Sequence, residues 1–585
     1  MKQQRLGFHK LYQNLDKILF LFFIIFMAME YIWLPFNSWA AGSLLRLTGY
    51  QFLSYNNVLA VLSSNLLLTL AFIVLFLVNL LVAYFQVGLL FLGAHNLLTQ
   101  QGNTLFAFTK KTVSDGFSLL KQVRPSKVAF VLLYIALLFP FIRKILKIYY
   151  LNKILIPNFI VSYLRDTYFL AGMGLALLVL LMLLIAVRLM FALPKILIEN
   201  VSVGEAVRFS LGKTHKRLLF YSWHLFWIVT KSFLLFFAIT IPLLFLQSYA
   251  DGQSNQAAIT AGVVNFVLMK TAHYLMLTYF LVKFVAFLTE QSLSYSARRK
   301  LDRLYRWVVM SIAFLAFAAE GYSYLQVPLS SNPVVISHRG VSQANGVQNT
   351  IQSLEKTALL KPDYVEMDVQ ETKDGQFVMM HDANLSALAV VNAKPQDLTL
   401  AELTALDVSE NGYRTKISSF DAYLKRANEL GQRLLIEIKT SKKDSPDMMD
   451  RFLNKYGNTI KQYGHQMHSL DYKVINKVVK YDASIPTFFI LPYNTIFPRT
   501  KASGYTMEYS TLDDNFIFKL WQTDKKLYDW TVNDENAISK SLRLGVDGII
   551  TDDVQLVQTA IKELQNNPKY ADLLINQAFD FFNFT

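Results

Sequence analysis

Two hydrophobic patterns divide the chain. Up to about residue 325 the apolar residues come in long unbroken runs, and roughly 20 such residues cross a bilayer. Candidate spans lie at 18–36, 58–90, 128–149, 168–194, 219–247, 259–289 and 307–325. The first lacks a small-residue cleavage site and more spans follow it, so it reads as a span rather than a signal peptide. The second is long enough to tilt or bend. Gln326 to Pro333, with two prolines and two serines, reads as a linker. Beyond it short strand-like runs recur at 334–337, 364–369, 434–438, 466–469, 486–491, 505–510, 526–532 and 548–551. Helix-like stretches such as 351–360, 419–430, 472–480 and 535–544 separate them. Alternating strands and helices imply a parallel sheet, and eight strands in about 250 residues suit an α/β fold of the (β/α)8 TIM-barrel type. The predicted organisation is a multi-span α-helical membrane domain of about seven spans (1–325), a linker (326–333), a barrel (334–570) and a C-terminal tail (571–585).

Charge follows the same division. The net charge is +15, yet the first 330 residues hold 29 of the 57 Lys and Arg and only 10 of the 42 Asp and Glu, leaving the remainder slightly acidic. Basic residues in the apolar half belong to membrane flanks, so no nucleic-acid partner is expected. Every second connection is basic: Lys2 to Lys17, Lys110 to Lys127, Lys195 to Arg217, and Arg298 to Arg306. The positive-inside rule then puts the N-terminus in the cytoplasm, and seven crossings place the barrel domain outside a plasma membrane. One stretch breaks the pattern. Arg143, Lys144, Lys147, Lys153 and Arg165, interleaved with Tyr149, Tyr150 and Leu155, read as snorkelling anchors or as an interfacial anionic-lipid site. Arg188, Lys231, Lys270, Lys283 and Glu320 lie in or near apolar spans. The absence of cysteine excludes disulfides, thiol nucleophiles and Cys-ligated zinc.

The chemistry concentrates between His338 and Asp382. In Tyr364-Val365-Glu366-Met367-Asp368-Val369 the two carboxylates share one face of a strand, where they repel unless a hard cation sits between them. Ser337-His338-Arg339-Gly340, Gln348-Asn349-Thr350, Thr372-Lys373-Asp374-Gly375 and His381-Asp382 surround the pair. Later come Leu435-Ile436-Glu437-Ile438-Lys439, Trp530-Thr531-Val532-Asn533 and Gly545-Val546-Asp547-Gly548-Ile549-Ile550-Thr551-Asp552. In this order the motifs resemble the glycerophosphodiester phosphodiesterases, over about the last 250 residues. One departure is Val347-Gln348 where that family usually carries Pro-Glu.

The resemblance implies a phosphoric diester hydrolase. His338 and His381 form the acid/base pair, and Glu366, Asp368 and Glu437 are ligands of one divalent metal ion. All-carboxylate ligation favours Ca2+ or Mg2+ over zinc. Arg339 offers a planar fork to phosphate and Lys439 a point charge. Trp530 reads equally as barrel core or as a wall for the glycerol moiety. Asp382 orients His381 or makes a turn, Asn349 orders the loop after His338, and His465 and His468 are structural. Substrates would be glycerophosphodiesters, lysolipids or glycerophosphate polymers near membrane lipid, yielding glycerol 3-phosphate and an alcohol. Two alternatives stand beside this: a transporter or lipid-binding protein with an inactive phosphodiesterase-like domain, and a cytoplasm-facing phosphodiesterase. Neither the oligomeric state nor the assignment of acid and base follows from the residues.

Overall fold

The computed structural model describes residues 14, 16, 17, 20, 21, 25, 27–54, 57–99, 104–138, 169–291 and 300–580. These fall into two units. One comprises residues 1–50, 55–325 and 569–585, the other 51–54 and 326–568.

The first unit is helical. Among the described residues four helices are long and apolar enough to cross a membrane: Leu66–Thr99, Leu218–Asp251, Asn255–Thr289 and Trp307–Pro328. The predicted run 58–90 is two helices, Val58–Ser63 and Leu66–Thr99. The break is local, because the Asn65 side-chain oxygen accepts from the amides of Leu67 and Leu68 (2.9 and 3.2 Å) and so starts a new helix. Shorter apolar helices cover Pro125–Leu137 and Met173–Leu189. Parts of the predicted spans 18–36 and 128–149, and the basic stretch 143–165, lie outside the described residues.

Several polar groups inside this apolar unit are partnered. Lys270 pairs with Glu320 on a neighbouring helix. Gln247 donates to Asp251 (2.8 Å) and accepts from Asn265 (2.9 Å). Such pairing is what an environment without water demands. Residues 326–330, expected in the linker, continue the helix Lys300–Ser330. Residues 570–580, expected to end the barrel and begin a tail, form the helix Tyr570–Asp580 of the first unit. That helix is tied down by Tyr570 to Asn255 (2.8 Å) and by the Leu573 carbonyl, which accepts from Tyr324 (2.9 Å).

The second unit is built on eleven strands: β1 (Val334–Ser337), β2 (Tyr364–Glu371), β3 (Phe377–Met379), β4 (Asp407–Glu410), β5 (Tyr413–Lys416), β6 (Leu434–Ile438), β7 (Gln466–Ser469), β8 (Thr487–Leu491), β9 (Gly504–Glu508), β10 (Lys526–Trp530) and β11 (Gly548–Thr551). Eight of them run parallel in the order β1-β2-β6-β7-β8-β9-β10-β11, and β11 pairs with β1 to close a barrel. All eight runs read from the sequence are barrel strands. The antiparallel β3 and the separate β4–β5 hairpin are additions, both placed between β2 and β6 of the sequence.

Side-chain parity sorts each strand into two faces. Ile336, Tyr364, Leu435, Phe488, Tyr528 and Ile550 fill the barrel interior. At its lower end Gln466 donates to the Tyr364 hydroxyl and accepts from that of Tyr528, each at 2.9 Å. The alternate residues, including Val365, Met367, Leu434 and Ile436, pack outward on Phe420, Phe452 and Tyr456 of the surrounding helices. Thr350, Ser419, Asp534 and Asp553 cap the helices that follow, each accepting from a backbone amide three residues on.

Asp529 of β10 points outward into the layer between strands and helices, where it is fully buried and accepts from Ser541. Burial pushes its pKa up to about 7. The folded state therefore holds its proton more tightly than the unfolded chain, and this group's contribution is complete below about pH 4 and lost as pH rises towards 7. Thermal melts should show destabilisation on the order of 3 kcal/mol from this group between pH 4 and 8 in the native chain, and Asp529→Asn should flatten that slope.

Candidate active site

Parallel register brings the acidic residues together. Asp368 of β2 is paired with Glu437 of β6, and Glu437 with His468 of β7, so three neighbouring strands present them at one level. Glu366 lies two residues before Asp368 on the same inward face. All three carboxylates are buried (Glu366 3%, Asp368 1% and Glu437 7% exposed). Buried like charges require compensation. Lys439, the first residue after β6, provides it: its Nζ lies 3.0 Å from Asp368 Oδ1 and 2.6 Å from Glu437 Oε1. Asn349 clamps Asp368 from the other side, donating to Oδ2 (2.8 Å) and accepting from the Asp368 amide (2.9 Å). It therefore orients a carboxylate as well as ordering its loop. Burial acts to raise the Asp368 pKa, but Lys439, His381, Arg339 and the Asn349 hydrogen bond together hold the carboxyl well below the usual range. Burial likewise acts to lower Lys439, and Asp368 and Glu437 outweigh it.

The sharp turn after β1 makes the second half of the site. Arg339 and Gly340 both adopt positive φ (51° and 69°). A side chain on Gly340 would also strike the Tyr423 hydroxyl, so glycine is required there. This turn aims the Arg339 amide at Glu366 Oε2 (2.8 Å), while its guanidinium donates to Gln348 Oε1 (3.0 Å) and His381 Nε2 (2.9 Å). An acceptor Nε2 leaves the His381 proton on Nδ1, which donates to Asp382 (2.7 Å). His338 is held in the same way, with Nδ1 2.8 Å from Asp552 Oδ1. Asp552 is itself fixed by Asn533 through its side chain and its amide. Burial acts to raise Asp552, but the hydrogen bond and charge of His338 outweigh it and lower its pKa. Two imidazole–carboxylate pairs thus face one cluster of buried charge.

Gln348 does not break the site open. Its side-chain oxygen accepts from Arg339, and its amide groups bind Glu410 at the end of β4 (2.7 and 2.8 Å). A carboxylate from the hairpin therefore backs the position where the family's motif usually carries its own. Trp530, the last residue of β10, lies half-buried against the barrel interior. His465 is structural, accepting from the Leu434 amide at Nδ1 and bonded to Asn428 at Nε2. His468 is not surrounded by core alone. It faces Glu366 and Glu437, and their donor atoms and its own all lie within 4.8 Å of one another.

Residues 4–319 match the family described as the membrane domain of glycerophosphoryl diester phosphodiesterase, and residues 338–556 match the glycerophosphoryl diester phosphodiesterase family. The chain belongs to this family. The enzyme is 25% identical over 243 residues to the glycerophosphodiester phosphodiesterase of Caldanaerobacter subterraneus, covering 39% of this chain and 98% of that one. It is 25% identical over 284 residues to the lysophospholipase D GDPD1 of Mus musculus, covering 40% and 86%. Among solved structures, an Oleispira antarctica phosphodiesterase in complex with the product sn-glycerol-3-phosphate aligns with a TM-score of 0.35 and 22% identity, over 39% of this chain and 97% of that one. The enzyme is a glycerophosphodiester phosphodiesterase with a membrane domain.

Six of the eight residues named from the sequence lie at or just beyond the ends of strands, where barrel enzymes carry their chemistry, while Glu366 and Asp368 lie within β2, Asp368 level with Glu437. Residue-by-residue reading missed three partners: Asp552 as the anchor of His338, Glu410 behind Gln348, and His468 beside the carboxylates. Strand parity held a signal for the last, since Gln466 and His468 share a face. Nothing local signalled the other two. Asp552→Asn would remove the carboxylate that fixes the His338 tautomer. The expected outcome in steady-state assays is a fall in kcat of roughly 100-fold or more with KM nearly unchanged.

Proposed function

We propose that this enzyme hydrolyses glycerophosphodiesters to glycerol 3-phosphate and an alcohol, in a metal-dependent reaction at the outer surface of the plasma membrane. The observation that carries the reading is the convergence of His338, Arg339 and His381 on the buried cluster of Glu366, Asp368, Glu437 and Lys439. The donor set fits a divalent cation. Lys439 already bridges Asp368 and Glu437 with one positive charge, and a ligand atom from each of Glu366 and Glu437 falls within a coordination sphere's width. Glu366, Asp368 and Glu437 would hold the ion, and these oxygen donors suit Ca2+ or Mg2+. Once bound, it supplies Lewis-acid neutralisation of the phosphate.

The side chains account for the rest. Arg339 offers its fork to phosphate oxygens, and Lys439 adds a point charge. One of His338 and His381 accepts the proton of the attacking hydroxyl or water, and the other donates one to the departing alcohol. Asp552 and Asp382 hold each ring with Nε2 towards the reaction. Trp530, half-buried at the end of β10, would wall the glycerol moiety. A membrane domain favours substrates at a surface: lysolipids, lipid headgroups or glycerophosphate polymers of the envelope.

Replacing His338 or His381 by Ala should lower kcat by about 10²- to 10⁴-fold in the detergent-purified enzyme. Activity within a few-fold of native in either variant would remove the acid/base pair. Orientation is tested separately, because the chain has no cysteine. A Lys442→Cys variant, altered at an exposed position, should react with a membrane-impermeant maleimide on intact cells. Labelling only after lysis would place the site in the cytoplasm.

A further inference from the structure

His468 has no role in the chemistry above, yet its surroundings are unusual for a core residue. The other three histidines of the second unit each have a ring nitrogen bonded to a fixed partner: His338 to Asp552, His381 to Asp382, and His465 to Asn428. His468 is 2% exposed, and neither Nδ1 nor Nε2 has a hydrogen bond. A buried ring with both nitrogens unsatisfied is rare in a folded protein and calls for an explanation. Its direction supplies one. Parity puts His468 on the inward face with Gln466, and register puts it level with Glu437. Its Nε2 lies 3.5 Å from Glu366 Oε1, and the three residues' donor atoms fall within 4.8 Å of one another. No other histidine among the described residues belongs to such a cluster.

We infer that His468 is a ligand of the catalytic metal, joining Glu366 and Glu437 through a ring nitrogen and making the donor set mixed rather than all-oxygen. Imidazole binds transition ions well and contributes little to Ca2+ or Mg2+. The site therefore prefers Mn2+ to Ca2+, and His468 sets that preference. The inference rests on the phosphodiesterase reading only in placing a cation among the carboxylates.

The test uses the full chain in detergent, stripped of metal and loaded with Mn2+ alone. Pulsed electron paramagnetic resonance should show a directly coordinated imidazole nitrogen. In His468→Gln the ion should still bind, about 10- to 100-fold more weakly, and the nitrogen coupling should vanish while Ca2+ affinity changes much less. If that variant does not fold, His468→Asn takes its place. The native spectrum alone can overturn the inference, by lacking nitrogen coupling. Coupling that survives in the His468 variant, or that vanishes in His338→Asn instead, also overturns it. Failure of the phosphodiesterase reading looks different: nitrogen coupling present and lost in His468→Gln, with no diester hydrolysis under any metal.

Discussion

Three carboxylates packed out of water at one barrel mouth are the constraint on which the rest of this enzyme depends. Separately they would repel one another and lose hydration that the interior does not replace. They are tolerated because Lys439 at the tip of β6 bridges two of them, the backbone amide of Arg339 in the turn after β1 bonds the third, and the Arg339 charge acts on Asp368. Neither is free to drift. Lys439 is displaced from Glu437 by one strand residue only, and Arg339 is committed by its left-handed backbone and by three separate hydrogen bonds. The charge balance is therefore a property of the backbone frame, and the same frame that satisfies the carboxylates points the phosphate-binding groups into the mouth.

The barrel separates stability from chemistry along its axis. The lower interior is closed by aromatic rings and the Tyr364–Gln466–Tyr528 hydrogen bonds, which carry no charge. The upper interior carries the ionised groups and both imidazole–carboxylate pairs. The β4–β5 hairpin, which contributes nothing to barrel closure, reaches the site through Glu410 and Gln348. A change of residue type at Gln348 is thus absorbed by an appended element rather than by the frame. The helical unit follows the same economy of polar groups. Lys270 with Glu320, and Gln247 with Asn265, satisfy in pairs what the apolar surroundings would leave bare.

The sequence by itself determined the elements whose cause is local. Long apolar runs announced the membrane helices, and short strand-like runs separated by helix-like stretches announced the eight barrel strands. Parity put Glu366 beside Asp368, because side chains two residues apart on a strand must share a face. The ends of elements were less legible. The break at Asn65 and the helical course of 326–330 depend on individual hydrogen bonds and caps, which an average of apolarity does not see.

Only the tertiary structure decided which distant groups complete each other. Asp552 meets His338 across 214 residues because β11 closes the barrel against β1, a pairing with no trace in the composition of either segment. Glu410 reaches Gln348 because a polar, largely exposed hairpin folds over the rim. His468 changes from a core histidine to a group facing two carboxylates through the register of β6 with β7. A strand's sequence states which residues share its face. The level at which that face meets its neighbours is set by closure of the whole barrel, and that level decides which charges touch.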